Sequence, residues 1–226
     1  MKFIFSFFTT IFFVSTALAQ VAPSAQEIEK FTGLHKAAHE NNVPKIEQLA
    51  KDGADLEARD GSHRTPVHVA AFASNDEALV ALAGLGADMN ALEFGLYDVV
   101  TIAAVADDPE IMSLAIEHGN RTDQITSIYR GTALIAAAHL GHVEVVNRLI
   151  EAGAPLDHVN KLHWTALMEA VVLGDGGQNY ITVVKALVQA GANTSLADRE
   201  GITPLAHAES RGYKEIAAII ASQEKK

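Results

Sequence analysis

Ten histidines, twenty-eight acidic residues and many hydroxyls give this 226-residue chain the raw material for acid–base or metal chemistry. Spacing decides whether that material is assembled. His35 and His39 stand four apart, which would put two imidazoles on one helix face, but no H-E-x-x-H run accompanies them. Asp175, Gln178 and Asn179 offer oxygens to a hard cation within Gly174 to Tyr180, yet a single carboxylate is too few for a calcium loop. No G-x-S-x-G elbow or P-loop is present, and the absence of Cys removes thiol catalysis, disulfides and a lipoprotein attachment site. The expectation is no catalytic residue, no metal and no cofactor.

Most of the histidines fall instead into a register. Thr32-Gly33-Leu34-His35-Lys36-Ala37-Ala38 is echoed by Thr65-Pro66-Val67-His68-Val69-Ala70-Ala71, Asp98-Val99-Val100-Thr101-Ile102-Ala103-Ala104 and Thr132-Ala133-Leu134-Ile135-Ala136-Ala137-Ala138. Thr165-Ala166-Leu167-Met168-Glu169-Ala170-Val171 and Thr203-Pro204-Leu205-Ala206-His207-Ala208-Glu209 complete the set. The starts lie 33, 33, 34, 33 and 38 residues apart. Each type has a physical role. Thr caps a first helix and Pro suits its first position. The Ala pair lets neighbouring helices approach. Gly141-His142 breaks the helix, and Val143, Val145, Val146, Leu149 and Ile150 recur at helical spacing for a second one. Gly153 then ends that helix in the left-handed conformation.

A 33-residue period with a T-P-L-H-x-A-A opening resembles the ankyrin repeat from Phe31 to the chain's end. The resemblance implies an all-α solenoid of six helix-turn-helix units over 31–61, 62–94, 95–128, 129–161, 162–199 and 200–226, joined by short projecting hairpins. Residues 20–30 would lead into the cap. One unit cannot bury its own apolar face, so stability must come from stacking and the end units must face water. Glu209, where other units carry Ala or Val, fits an end.

Three departures stand out. The third unit replaces T-P-L-H by Asp98-Val99-Val100-Thr101, and one extra residue precedes the fourth. The hairpin glycine two places before Thr survives only as Gly201, with His63, Leu96, Arg130 and His163 elsewhere, which leaves the tip geometry open. In the fifth unit Gly174 to Tyr180 adds five residues between the helices, read as a flexible glycine-rich turn.

Residues 1–19 carry one Lys, an apolar run and an Ala17-Leu18-Ala19 ending, the pattern of a signal peptide cleaved after Ala19. Export to a periplasm is expected, or secretion, with no membrane insertion after cleavage. Loss of Lys2 takes the net charge from -11 to -12, which disfavours nucleic acid and anionic membranes.

The resemblance also implies a groove that touches partners through positions just before Thr and seven or eight after it. The former are Arg64, Phe94, Tyr97, Tyr129, Lys161, Leu162 and Trp164; the latter are His39, Phe72, Val105, His139, Leu140 and Val172. Four aromatics in neighbouring tips make Trp164 and Tyr129, then Phe94 and Tyr97, the leading anchors. The alternative for each ring is packing on an adjacent tip. The expected function is a monomeric, non-enzymatic adaptor or inhibitor that binds another protein, with toxin immunity or envelope stress protection as alternatives.

Overall fold

The computed structural model of the protein describes residues 22–223, so the leader expected over residues 1–19 and its cleavage site lie outside the described residues. Among the described residues there are thirteen helices and no β-strand. A four-residue helix, α1 (Ala25–Ile28), precedes six pairs: α2 (Gly33–His39) with α3 (Val43–Lys51), α4 (Pro66–Phe72) with α5 (Asp76–Gly84), and α6 (Val99–Ala106) with α7 (Pro109–Glu117). Then come α8 (Ala133–Leu140) with α9 (Val143–Glu151), α10 (Ala166–Val172) with α11 (Gln178–Gln189), and α12 (Pro204–Ser210) with α13 (Lys214–Ala221). The all-α fold expected from the repeats is the one observed.

Four of the six first helices start by one mechanism. Side-chain oxygens of Asp98, Thr132, Thr165 and Thr203 accept the backbone N–H three residues on, each cap contributing about 1 kcal/mol. Asp98 shows why the third unit tolerates its changed opening, since a carboxylate caps as well as a hydroxyl. In the second unit His68 closes the cap from the other side. Its Nδ1 accepts from the Thr65 N–H at 3.1 Å, and its Nε2 donates to the Ala91 carbonyl at 3.0 Å, which sets a neutral tautomer with the proton on Nε2.

Between neighbouring units, first helices stack chiefly on first helices and second helices on second, giving two layers that share one core. The small pairs Ala70-Ala71, Ala103-Ala104 and Ala137-Ala138 are buried between first helices, and Ile46, Leu82, Ile111, Leu149 and Leu187 fill the second layer. Glu209 is exposed on α12.

The insertion in the fifth unit is packed rather than loose. Its extra residues are shared between a longer turn and a longer helix, because α11 runs 12 residues where the other second helices run 8 or 9. Gly174 is required by close approach: a Cβ there would sit 2.2 Å from the Ala170 carbonyl oxygen and 2.6 Å from the Tyr180 ring. The Tyr180 hydroxyl donates to the His139 carbonyl and that of Tyr213 to the Gly174 carbonyl, both at 3.0 Å, so the turn is clamped to the units on either side.

Candidate functional site

The hairpin tips are built from a five-residue turn whose first residue carries an acceptor. Asp60 Oδ1 takes the N–H groups of Ser62 and Arg64, Asn160 Oδ1 those of Leu162 and Trp164, and Asp198 Oδ1 those of Glu200 and Ile202. The backbone closes the same turn, as in Asn160 N–H to Trp164 carbonyl at 3.1 Å and His163 N–H to Asn160 carbonyl at 3.0 Å. In the fourth unit the extra residue is absorbed at Ser127, which turns left-handed between the Thr126–Gly131 bridge.

Consecutive tips are also tied to one another. Phe94 N–H donates to the Ser62 carbonyl, Ser127 N–H to Leu96 and Lys161 N–H to Tyr129, at 2.8 to 3.1 Å, and the Arg199 guanidinium caps the Lys161 carbonyl at 2.6 Å. The tips therefore form one hydrogen-bonded edge along the solenoid. No feature of the short sequence motif signals this ladder, because it joins backbone groups about one repeat apart.

The tip geometry left open by the missing glycines is uniform. His63, Leu96, Arg130 and His163 all adopt φ between 56° and 65°, the region Gly201 occupies at 77°. For residues with a Cβ this conformation costs roughly 1 to 2 kcal/mol. Leu96→Gly is accordingly expected to stabilise the chain by about 1 kcal/mol, after allowance for the greater freedom of Gly in the unfolded state. The urea midpoint of its circular-dichroism transition would move up; a downward shift would show that the Leu96 side chain has a packing role outweighing the strain.

The residues expected to face a partner divide. Phe94 is 76% exposed and Leu162 41% exposed, and Lys161 stands in solvent. Tyr129 and Trp164 are half-buried at the tips, while Tyr97 and Phe72 lean on the core. Val172 is half-buried and its carbonyl is capped by Arg211 at 2.9 Å. His139 lies on the open flank of α8, its Nδ1 3.2 Å from Oε2 of Glu169, a buried carboxylate whose Oε1 accepts from Asn160 at 2.8 Å.

Arg64 departs from the expectation. Although it immediately precedes Thr65, it is only 2% exposed, with its guanidinium paired to Asp60 at 2.7 Å and to Glu27 of α1, and 6.0 Å from the centroid of the Phe31 ring. It is removed from the partner-facing set and belongs to the N-terminal cap. The Glu27 carboxyl is held down at about 2, chiefly by the Ser24 hydroxyl and N–H, with Ser62 and Arg64 adding to the effect against partial desolvation.

The histidines act as staples between units. The His35 Nε2 lies 2.8 Å from the Arg64 carbonyl, and the His142 Nδ1 2.9 Å from the Ala104 carbonyl. Among the described residues no group of three or more His, Asp or Glu side chains is placed to hold a metal. Nor is any helix of the described residues long and apolar enough to cross a membrane.

Residues 100–198 match the family model described as ankyrin repeats in three copies. Over 84% of its length the chain is 41% identical to an ankyrin repeat domain from Acinetobacter baumannii AYE, of which it covers 97%, with a TM-score of 0.80. It is 37% identical over 93 residues to the ankyrin repeat protein YahD of Escherichia coli K12, and 30% identical over 121 residues to the glycerophosphocholine phosphodiesterase GDE1 of Candida albicans. These matches take in 41% and 52% of this chain. The chain spans less than half the length of these curated relatives, 46% of the first and 10% of the second.

Proposed function

The chain belongs to the ankyrin-repeat family, and from that premise we propose that it is a non-enzymatic module that holds another protein against its hairpin tips and the open flank of its first helices. One observation carries this reading: tips already closed and joined by hydrogen bonds nonetheless keep large apolar side chains in water, above all Phe94, Leu96, Ile128 and Leu162. The fold does not need them there, and exposed apolar surface in a row is what partner surfaces present. The likeness to GDE1 covers a tenth of that protein.

On this reading the protein works as an exported adaptor or inhibitor, and toxin immunity is a special case of the same binding act. Crosslinking the mature protein in its own cell, followed by mass spectrometry, would identify the partner. Phe94→Ala and Trp164→Ala should each weaken its capture about thirtyfold, the consequence of losing roughly 2 kcal/mol at an aromatic anchor, and leave the melting temperature nearly unchanged. Normal capture by both variants would move the binding face away from the tips. Export is tested separately by intact mass: the exported chain should begin at Gln20, and retention of residues 1–19 on exported material would refute cleavage.

A further inference from the structure

We propose that the tip edge of the second to fifth units takes an acidic protein segment interspersed with apolar residues, and that His63, Leu96, Arg130 and His163 read it. The proposal rests on the tips being the binding face and names the class of partner that fits them. Its first support is backbone strain. Four consecutive tips place a residue with a side chain where only the last tip, at Gly201, uses the residue that fits without strain. Strained conformations persist where they serve a site.

Two left-handed residues away from the tips, Asn41 and Ser74, use their side chains inside the fold. Asn41 donates to Glu77 and accepts the Ala78 N–H, and Ser74 donates to Asp108 at 2.7 Å. The tip residues do nothing comparable. Arg130 and His163 are exposed, and neither side chain has a hydrogen bond or ion pair among the described residues. His63 only sets its ring edge-on to Phe94, at 6.2 Å between centroids, and Phe94 is itself in solvent. Leu96 is 43% exposed.

Charge is the second support. The chain as a whole is strongly acidic, at -11, and Glu47, Glu117, Glu144 and Glu151 stand exposed on the second helices. The turns of the fourth and fifth tips, residues 126–131 and 160–164, have the opposite balance, since neither contains a carboxylate. Asp60 and Asp198 are turned inward, occupied by backbone N–H groups and by Arg64 and His207. Arg130 and Lys161 stand exposed on the fourth and fifth tips, while Glu93 of the third tip has its Oε1 engaged by the Tyr97 N–H and Arg199 of the sixth adjoins the exposed Glu200. This cationic stretch, flanked by Leu162 and by Phe94 and Leu96 of the adjoining tip, complements a segment that alternates acidic and apolar side chains. The hydrogen-bonded ladder holds the edge rigid, so little ordering is needed on binding. Nucleic acid matches the edge less well, because the acidic remainder of the chain repels a polyanion that extends beyond it.

The test uses the full mature chain and a fluorescein-labelled peptide alternating Glu with Leu and Phe, read by anisotropy. Controls are the same peptide with Ser or Lys in place of Glu, and a single-stranded oligonucleotide. The Glu peptide should bind best and weaken as salt rises. Arg130→Gly should weaken it about threefold and Arg130→Gly with His163→Gly about tenfold. Both variants should melt about 2 to 4 °C higher per substitution, because the strain is relieved, so lost binding cannot be ascribed to misfolding. Undiminished binding by the double variant, or tighter binding of the Lys peptide or oligonucleotide, would overturn the proposal. Trp164→Ala separates the two levels. If it weakens capture of the cellular partner while the Gly variants bind the Glu peptide as the parent does, only the acidic-segment proposal falls. If Trp164→Ala and Phe94→Ala also capture normally, the tip reading falls with it.

Discussion

Arg64→Ala is expected to lower stability by roughly 3 to 5 kcal/mol, the usual consequence of removing one member of a buried ion pair. The guanidinium is 2% exposed, and its partner Asp60 is 11% exposed at 2.7 Å. Truncation would strand the Asp60 carboxylate with only two backbone N–H donors and leave a void beside Phe31. It would also remove one of the two side-chain links between Glu27 of α1 and this tip, leaving only that from the Ser62 hydroxyl. Glu27→Gln should cost less, because that carboxylate is 36% exposed and water replaces part of the lost interaction. Urea unfolding followed by circular dichroism measures both. If Arg64→Ala unfolds at the parent's midpoint while capture of the partner fails, Arg64 returns to the partner-facing set from which its burial removes it.

Arg64 also shows where sequence reasoning stops. Its position immediately before Thr65 is the same as that of Tyr97 and Trp164, so the register alone puts all three on the tip. What separates them is Glu27, 37 residues earlier, in a segment without repeat pattern. The repeats themselves were legible because each structural demand recurs at a fixed offset: the cap at Thr132, the Ala137-Ala138 contact and the helix break at Gly141. Glu209 was legible for the same reason, as a charge in an apolar column. The insertion was misjudged because three glycines suggest freedom, whereas Gly174 is needed for contact with the Ala170 carbonyl and the ring of Tyr180, and Gly176 lies under Tyr213. The ladder between tips was invisible, since backbone groups carry no sequence signature.

The same cap chemistry leads to a second large effect, on acidification. Burial pushes the His68 imidazole down from its ordinary 6.5 to about 4, against the opposing influence of the Tyr97 and Ala91 carbonyls. The geometry gives the reason: Nε2–H already donates to Ala91, and Nδ1 must stay unprotonated to accept the Thr65 N–H. Between pH 4 and 6.5 the unfolded chain therefore binds a proton at this residue that the folded chain refuses. Stability is greatest above pH 6.5 and falls by about 3 kcal/mol on descending to pH 4, at 1.36 kcal/mol per unit of pH. Below pH 4.5 the loss of the Glu27 carboxylate adds a further decline toward pH 2. Asp98 opposes both over its own range, because burial raises its carboxyl above the ordinary value and the folded chain holds that proton more tightly. His68→Gln isolates the histidine contribution. A glutamine can accept from Thr65 and donate to Ala91 as a capping box does, and it carries no titration. Its urea midpoint should change less than the parent's between pH 6.5 and 4. Parallel curves for the two proteins would mean that the proton enters elsewhere and that the His68 hydrogen bonds survive protonation.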